Sequence, residues 1–253
     1  MIRLSYKKMS IPWFYMWSEG YRVFYEIMKD TVKEDAFIMK PIEIPQSRFD
    51  SELYQVEGGH FWEGSLIKVQ TLISSLESAI ESNNPYILFT DIDLVVKPGV
   101  YDVLKPYMDN QYDMVFLKEG GHLNIGFILL RATPDVLKYW KEIEVLVREK
   151  GGLDQTYVNQ TIERFPGKYT HFDEQIITCS NTWDCSSPYV VLQVLCSCLG
   201  KEFNMAEKIF SSAQHHDIQP YMQYVPETIY PFIYRFQELL YESHQEIKAA
   251  PNS

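Results

Sequence analysis

The stretch Pro85-Tyr86-Ile87-Leu88-Phe89-Thr90-Asp91-Ile92-Asp93-Leu94-Val95-Val96 decides how the chain is read. Tyr86 to Phe89 is an apolar run without polar alternation, which marks a strand covered on both faces, as in a parallel sheet. It ends in two aspartates one residue apart. Carboxylates are seldom fully buried without a partner, because stripping water from a charge costs several kcal/mol. A pair of them at the carboxyl end of such a strand calls for a cation, and that end is where open α/β sheets bind ligands. Hard divalent ions held by one or two carboxylates plus substrate phosphates suit the pattern. Asp-x-Asp alone is weak, since about one chance match is expected in a chain of this composition. Its position directly after a buried strand gives it meaning.

Outward from that strand, the chain reads as an α/β protein with a mostly parallel twisted sheet and helices on both faces. Ile11 to Trp17 is a first strand, and Tyr21 to Val32 is a helix with Val23, Phe24, Ile27 and Met28 at helical spacing. Phe37 to Ile44 is a second strand region, broken by Pro41, so the chain opens on a βαβ unit. Gln46 to Glu63 reads as a long polar loop, with His60 and Trp62 placed to cover a ligand. Ser65 then caps an amphipathic helix to about Ser82, with Leu66, Val69, Ile73, Leu76 and Ile80 on one stripe. Strands are expected at Asp113 to Leu117 and Leu123 to Arg131. Thr133-Pro134-Asp135 starts a helix that stops at Gly151-Gly152. Asp154 is expected to cap a helix from Gln155 to Arg164. Ser187 to Gly200 is ambiguous between helix and strand, Ser211 to Asp217 reads as a polar loop, and Thr228 to Ile247 as a surface helix. Without repeats or linkers, a single domain is expected over residues 1–253, with its core at 11–216 and a helical tail at 218–248.

With 253 residues, 46% of them hydrophobic, the chain can bury a large core. A formal net charge of −11 argues against a nucleic-acid binder and against docking on anionic membranes. No apolar run approaches membrane-spanning length and no signal-like stretch follows Met1. Cys179, Cys185, Cys196 and Cys198 lack the spacing of a zinc site and read as reduced thiols in a cytoplasmic protein.

Four features in order resemble the nucleotide-diphospho-sugar transferase family, glycosyltransferases of the GT-A fold with glycogenin-like relatives. They are Lys68 before the acidic strand, Leu88 to Val95 with its Asp-x-Asp, Asn124-Ile125-Gly126-Phe127 before the Thr-Pro helix start, and Leu153-Asp154-Gln155 with Asn159 one turn later. Together they cover roughly residues 11 to 216. The resemblance implies a metal-dependent enzyme moving a sugar from a nucleotide-diphosphate sugar, a UDP-sugar first among donors, to a glycan or other hydroxyl acceptor with retention. It implies Mn²⁺ or Mg²⁺ on Asp91 and Asp93, with His216 (or its neighbour His215) as a third ligand. Trp17, Ser18, Lys68, Asp91 and Ile92 would seat the donor, and Asp154, Gln155 and Asn124 would face the transferred sugar. A nucleotidyltransferase or sugar-nucleotide pyrophosphorylase is the alternative enzyme class. It normally places a glycine- and arginine-rich loop after the first strand, which Phe14 to Gly20 does not supply. A non-catalytic nucleotide-sugar-binding domain is the third reading, and the retention of Asp91, Asp93 and Asp154 argues against it.

Overall fold

The computed structural model describes residues 10–45, 61–180, 188–195 and 201–238, apart from the side chains of 61–63 and 201–203. Its strands are β1 (Ile11–Trp17), β2 (Phe37–Glu43), β3 (Tyr86–Thr90), β4 (Leu94–Val96), β5 (Met114–Glu119), β6 (His122–Arg131), β7 (Tyr169–His171), β8 (Ile177–Cys179) and β9 (Val191–Gln193). Its helices are α1 (Arg22–Thr31), α2 (Phe61–Glu81), α3 (Val100–Asp109), α4 (Pro134–Lys150), α5 (Asp154–Thr161) and α6 (Lys201–Ala213). The main sheet has six strands in the order β2-β1-β3-β6-β5-β7, and β4-β9-β8 form a small second sheet. Only β6 opposes its neighbours in the main sheet; the other strands share one direction.

The apolar run of β3 is buried on both faces, and alternation along the strand divides it between two cores. Tyr86 and Leu88 join Trp13, Tyr15 and the inner sides of α1 and α3. Ile87 and Phe89 join Phe14 and the inner sides of α2, α4 and α5. Trp13 ties the first layer together, edge-on to Phe37 and Phe127, while its indole N–H donates to the Thr90 hydroxyl at 2.9 Å. That bond satisfies a polar group which burial would otherwise penalise.

Several local expectations are corrected. Pro41 does not break β2; it pairs with Tyr15 inside a continuous strand. An edge strand tolerates proline because one row of its N–H groups has no ladder partner. The second helix begins at Phe61, so Ser65 lies within it and is no cap. Asp154 is the first residue of α5, with Leu153 in the cap position, and the α-helix ends at Thr161 before a 3-10 turn at Ile162–Arg164. Ser211 and Ser212 belong to the end of α6, so the polar loop starts later than the sequence suggests. The ambiguous stretch supplies the short strand β9. Beyond α6, residues 230–238 are helical. This is not merely a surface element, because Ile233 joins the same buried cluster as β1 and α1, as do Ile218 and Val225 before it; the expected tail beyond 238 lies outside the described residues. Thr133 caps α4 as expected, accepting from the Val136 N–H. Gly151 and Gly152 both take positive φ, 67° and 88°, at its end. His60, Cys185, Cys196, Cys198, the side chain of Trp62 and most of the loop before α2 lie outside the described residues. Cys179 is buried and forms no disulfide among the described residues. Among the described residues no helix is long and apolar enough to cross a membrane.

The turn after β4 is locked from a distance. Glu34 accepts from the backbone N–H groups of Gly99 and Val100 with one oxygen, at 2.9 and 2.8 Å, and of Tyr101 with the other, at 3.1 Å. A carboxylate at a helix N-terminus satisfies orphan donors and opposes the positive end of the helix dipole. Glu34→Ala should therefore lower unfolding free energy by about 1–2 kcal/mol, read as a shifted urea midpoint. An unchanged midpoint would show that the cap carries no weight.

Candidate functional site

The parallel strands β1 and β3 end side by side, with Tyr15 opposite Thr90. Beyond them the chain turns sharply through Asp91-Ile92-Asp93, and the Leu94 N–H donates to the Ile92 carbonyl at 2.9 Å. That tight turn breaks the strand alternation and sends the two carboxylates to different neighbours. Asp91 meets α2: its Oδ1 lies 2.6 Å from Lys68 Nζ. Its Oδ2 accepts from the Gln193 side-chain amide at 2.9 Å. Asp93 meets α6, where Lys208 donates to its Oδ2. The Asp93 side chain is only 6% exposed against 33% for Asp91, and its Oδ1 has no partner among the described residues.

A third carboxylate closes the group. Asp154 is buried at the start of α5, where its Oδ1 accepts from its neighbour's N–H at 2.9 Å. The Ser65 hydroxyl on α2 also bonds it, and its Oδ2 has no partner among the described residues. Burial raises the Asp154 pKa, against the opposing pull of Lys68, the Gln155 N–H and Ser65. Burial on its own would lower the Lys68 pKa, yet the charges of Asp91, Asp154 and Asp93 outweigh it and hold the ammonium charged. The Cys179 thiol is pushed up by burial first and then by Glu119, Asp93 and Asp91, so it stays protonated and inert as a nucleophile.

Asn124 and Gln155 act on the backbone of β6. The β5–β6 register shifts between Phe116, opposite Ile128, and Leu117, opposite Asn124, so residues 125–127 of β6 bulge out of the ladder. Their freed polar groups find partners in the site. Asn124 Oδ1 accepts from the Gly126 N–H at 2.6 Å, Gln155 Oε1 accepts from the Ile125 N–H at 3.3 Å, and the Gly126 carbonyl accepts from the Asp91 N–H at 2.8 Å. Asn124 also donates to Glu119 at 2.7 Å. Asn159 takes both the N–H and the carbonyl of Leu123, at 2.9 and 2.7 Å. The bulge and the acidic turn are thus one hydrogen-bonded unit.

The remaining sequence-picked residues lie as follows. Trp17 stacks on Tyr25 with ring centroids 4.3 Å apart, and Ser18 is buried beside it at the end of β1. The Ile92 side chain is buried in the core. His215 packs edge-on against Tyr189, and burial, reinforced by Lys97, lowers its pKa. His216 tilts over Tyr221, and its Nε2 is buried without a partner among the described residues. Among the described residues no three His, Cys, Asp or Glu side chains cluster at metal-binding spacing, so His216 does not stand with Asp91 and Asp93 as a ready third ligand. A hard divalent ion that draws most of its ligands from a diphosphate and water needs only one or two carboxylates. Asp91 and Asp93 meet that need, the orphaned Oδ1 of Asp93 first.

Sequence reasoning missed Gln193 and Lys208. They reach the acidic turn from 102 and 115 residues away. Nothing in their local pattern marks them; a lone buried glutamine or lysine gives no periodic signal.

Neither a protein-family model nor a curated protein matches the sequence. Solved structures do match its fold. A glycosyltransferase involved in the glycosylation of the major capsid of PBCV-1 aligns with a TM-score of 0.56 at 13% identity, over 79% of this chain and 99% of that one. The glycosyltransferase GlyE of Streptococcus pneumoniae TIGR4 aligns at 0.51 and 11%, over 85% of this chain and 62% of its own. The bifunctional glycosyltransferase WbbM aligns at 0.51 and 10%, over 87% and 52%. These likenesses, all to glycosyltransferases at 10 to 13% identity, bear on the fold: the chain has the GT-A fold of glycosyltransferases.

Proposed function

We propose that this chain is a metal-dependent glycosyltransferase that moves a sugar from a nucleotide-diphosphate sugar, a UDP-sugar first among candidates, to an acceptor hydroxyl with retention. The observation that carries the reading is the gathering of Asp91, Asp93 and Asp154 at the carboxyl edge of a glycosyltransferase fold, with Asp93 Oδ1 and Asp154 Oδ2 both buried and partnerless among the described residues. Buried acceptors left unpaired cost stability, and a native chain tolerates them where a ligand supplies the missing partner.

In this reading Asp93, with Asp91 beside it, holds Mn²⁺ or Mg²⁺. The bound ion supplies Lewis-acid neutralisation of the departing diphosphate. Lys68 pairs with Asp91 and holds it in place. Trp17 and Ser18 border the region where the base and ribose would lie. Asp154 faces the positive charge that grows on the anomeric carbon, and its fixed position makes that stabilisation preorganised. Asn124 and Gln155 act through the β6 backbone that lines the site. His216 can complete the ligand set only if the segment after α6 moves toward Asp93.

The ion pairs make asparagine the informative replacement. Alanine at Asp93 would strand Lys208, which is 14% exposed, beside an empty space. Asp93→Asn keeps an acceptor for Lys208 while removing the anionic ligand. It should abolish Mn²⁺-dependent UDP binding in calorimetry in a variant that still folds cooperatively, at a melting temperature lowered by the loss of the counter-charge to Lys208, and EDTA should abolish the same binding in the wild type. UDP binding that ignores both the substitution and the chelator contradicts the metal assignment.

Asp154→Asn tests the second role. The amide oxygen can still accept from Gln155 and Ser65, so the fold should hold. Loss of the charge should slow donor turnover by at least about a hundredfold, followed as hydrolysis of the preferred UDP-sugar. Near wild-type turnover would leave Asp154 as a structural residue.

A further inference from the structure

Gln193 is a buried amide with only one end paired among the described residues. It ends β9 opposite Leu94, is 3% exposed, and lies among Leu192, Val191 and Val194, all fully buried. Its amide rests on β6 at Gly126. A Cβ there would meet Gln193 Nε2, Oε1 and Cδ at 2.2, 2.3 and 2.4 Å, so the absence of a side chain at 126 is what lets the amide pass. Nε2 donates to Asp91 Oδ2 at 2.9 Å. A carboxylate repels an oxygen, so this contact also fixes which way the amide points. Oε1 consequently faces away and has no partner among the described residues.

That arrangement is poor structural economy. One buried acceptor goes unpaired so that a hydrogen bond can be made to a carboxylate that is one-third exposed and could bond to water instead. An apolar side chain of equal length would fill the same space at lower cost. Such local conflicts mark functional positions.

We propose that Gln193 is a positioning residue for the donor site: it and Lys68 hold Asp91 by one oxygen each, so that the carboxylate presents a single orientation to the nucleotide sugar, and Gly126 exists to admit it. This rests on the glycosyltransferase reading above. Lys68 approaches from α2 on one side and Gln193 from the small second sheet on the other, so neither alone fixes the carboxylate's rotation. Without Gln193, Asp91 is free to turn about its bond to Lys68 and exchanges its second partner for water.

The test pairs stability with turnover. Gln193→Met keeps the volume and removes both amide ends. Its melting temperature should equal or exceed that of the wild type, while kcat/KM for Mn²⁺-dependent hydrolysis of UDP-sugars falls about 10- to 100-fold. Gly126→Ala should lose both stability and turnover, because its methyl collides with the amide. Adding Gln193→Ala to Gly126→Ala should restore the melting temperature but leave turnover low. A Gln193→Met enzyme with wild-type kcat/KM, or turnover recovered in the double variant, overturns the positioning role and leaves Gln193 as packing. A wild type that hydrolyses no member of a panel of UDP- and GDP-sugars overturns the transferase reading itself and this inference with it.

Discussion

Everything at the carboxyl edge of the sheet depends on how negative charge is held there. The chain is strongly acidic overall, yet it places three carboxylates around one turn, two of them almost wholly buried. An isolated buried carboxylate would take up a proton rather than bear the loss of hydration. Lys68 and Lys208 bring positive charge to the group from opposite sides of the sheet, one on α2 and one on α6, although burial still raises the Asp154 pKa. Neither lysine could be exchanged for a neutral residue without leaving an anion uncompensated. The helices are therefore fixed in place not only by their apolar stripes but also by the charges they deliver.

The bulge in β6 is the second half of the same arrangement. Releasing residues 125–127 from the β5 ladder creates backbone donors and acceptors that need new partners. Asn124 and Gln155 supply partners around the bulge, while the Asp91 N–H extends the β3 pairing to the Gly126 carbonyl. The result couples α5, β6 and the acidic turn, so Asp154 at the head of α5 is held at a set distance from Asp91 without touching it. A site whose groups are locked by hydrogen bonds of this kind needs little reorganisation when charge develops in a reaction. The role of Asn124 and Gln155 is thus read more naturally from their backbone partners than from any contact with a sugar.

Local errors in reading the chain share one cause. Pro41 looks like a strand breaker until its strand is known to be at an edge, and Ser65 looks like a cap until its hydroxyl is seen on Asp154. Asp154 itself has the sequence context of an N-cap, following two glycines, but its carboxylate turns inward toward α2 instead. In each case the tertiary setting overrides the local rule: an edge position removes the proline's penalty, and for Ser65 and Asp154 buried polar contacts outweigh a few tenths to about one kcal/mol of local preference.

The sequence by itself determined the fold class and the acidic turn that follows its buried third strand. Continuous apolar runs, helix starts such as Thr133-Pro134 and the position of Asp91 and Asp93 after β3 are short-range signals, because burial on two faces and helix termini leave periodic and compositional marks. Which groups would meet the aspartates was decided only in three dimensions. Gln193 and Lys208 lie more than a hundred residues downstream, and hydrogen bonds across such distances leave no period to detect. The need for Gly126 is likewise visible only once β9 is laid over β6, because close approach between two backbones is a property of packing rather than of either strand alone.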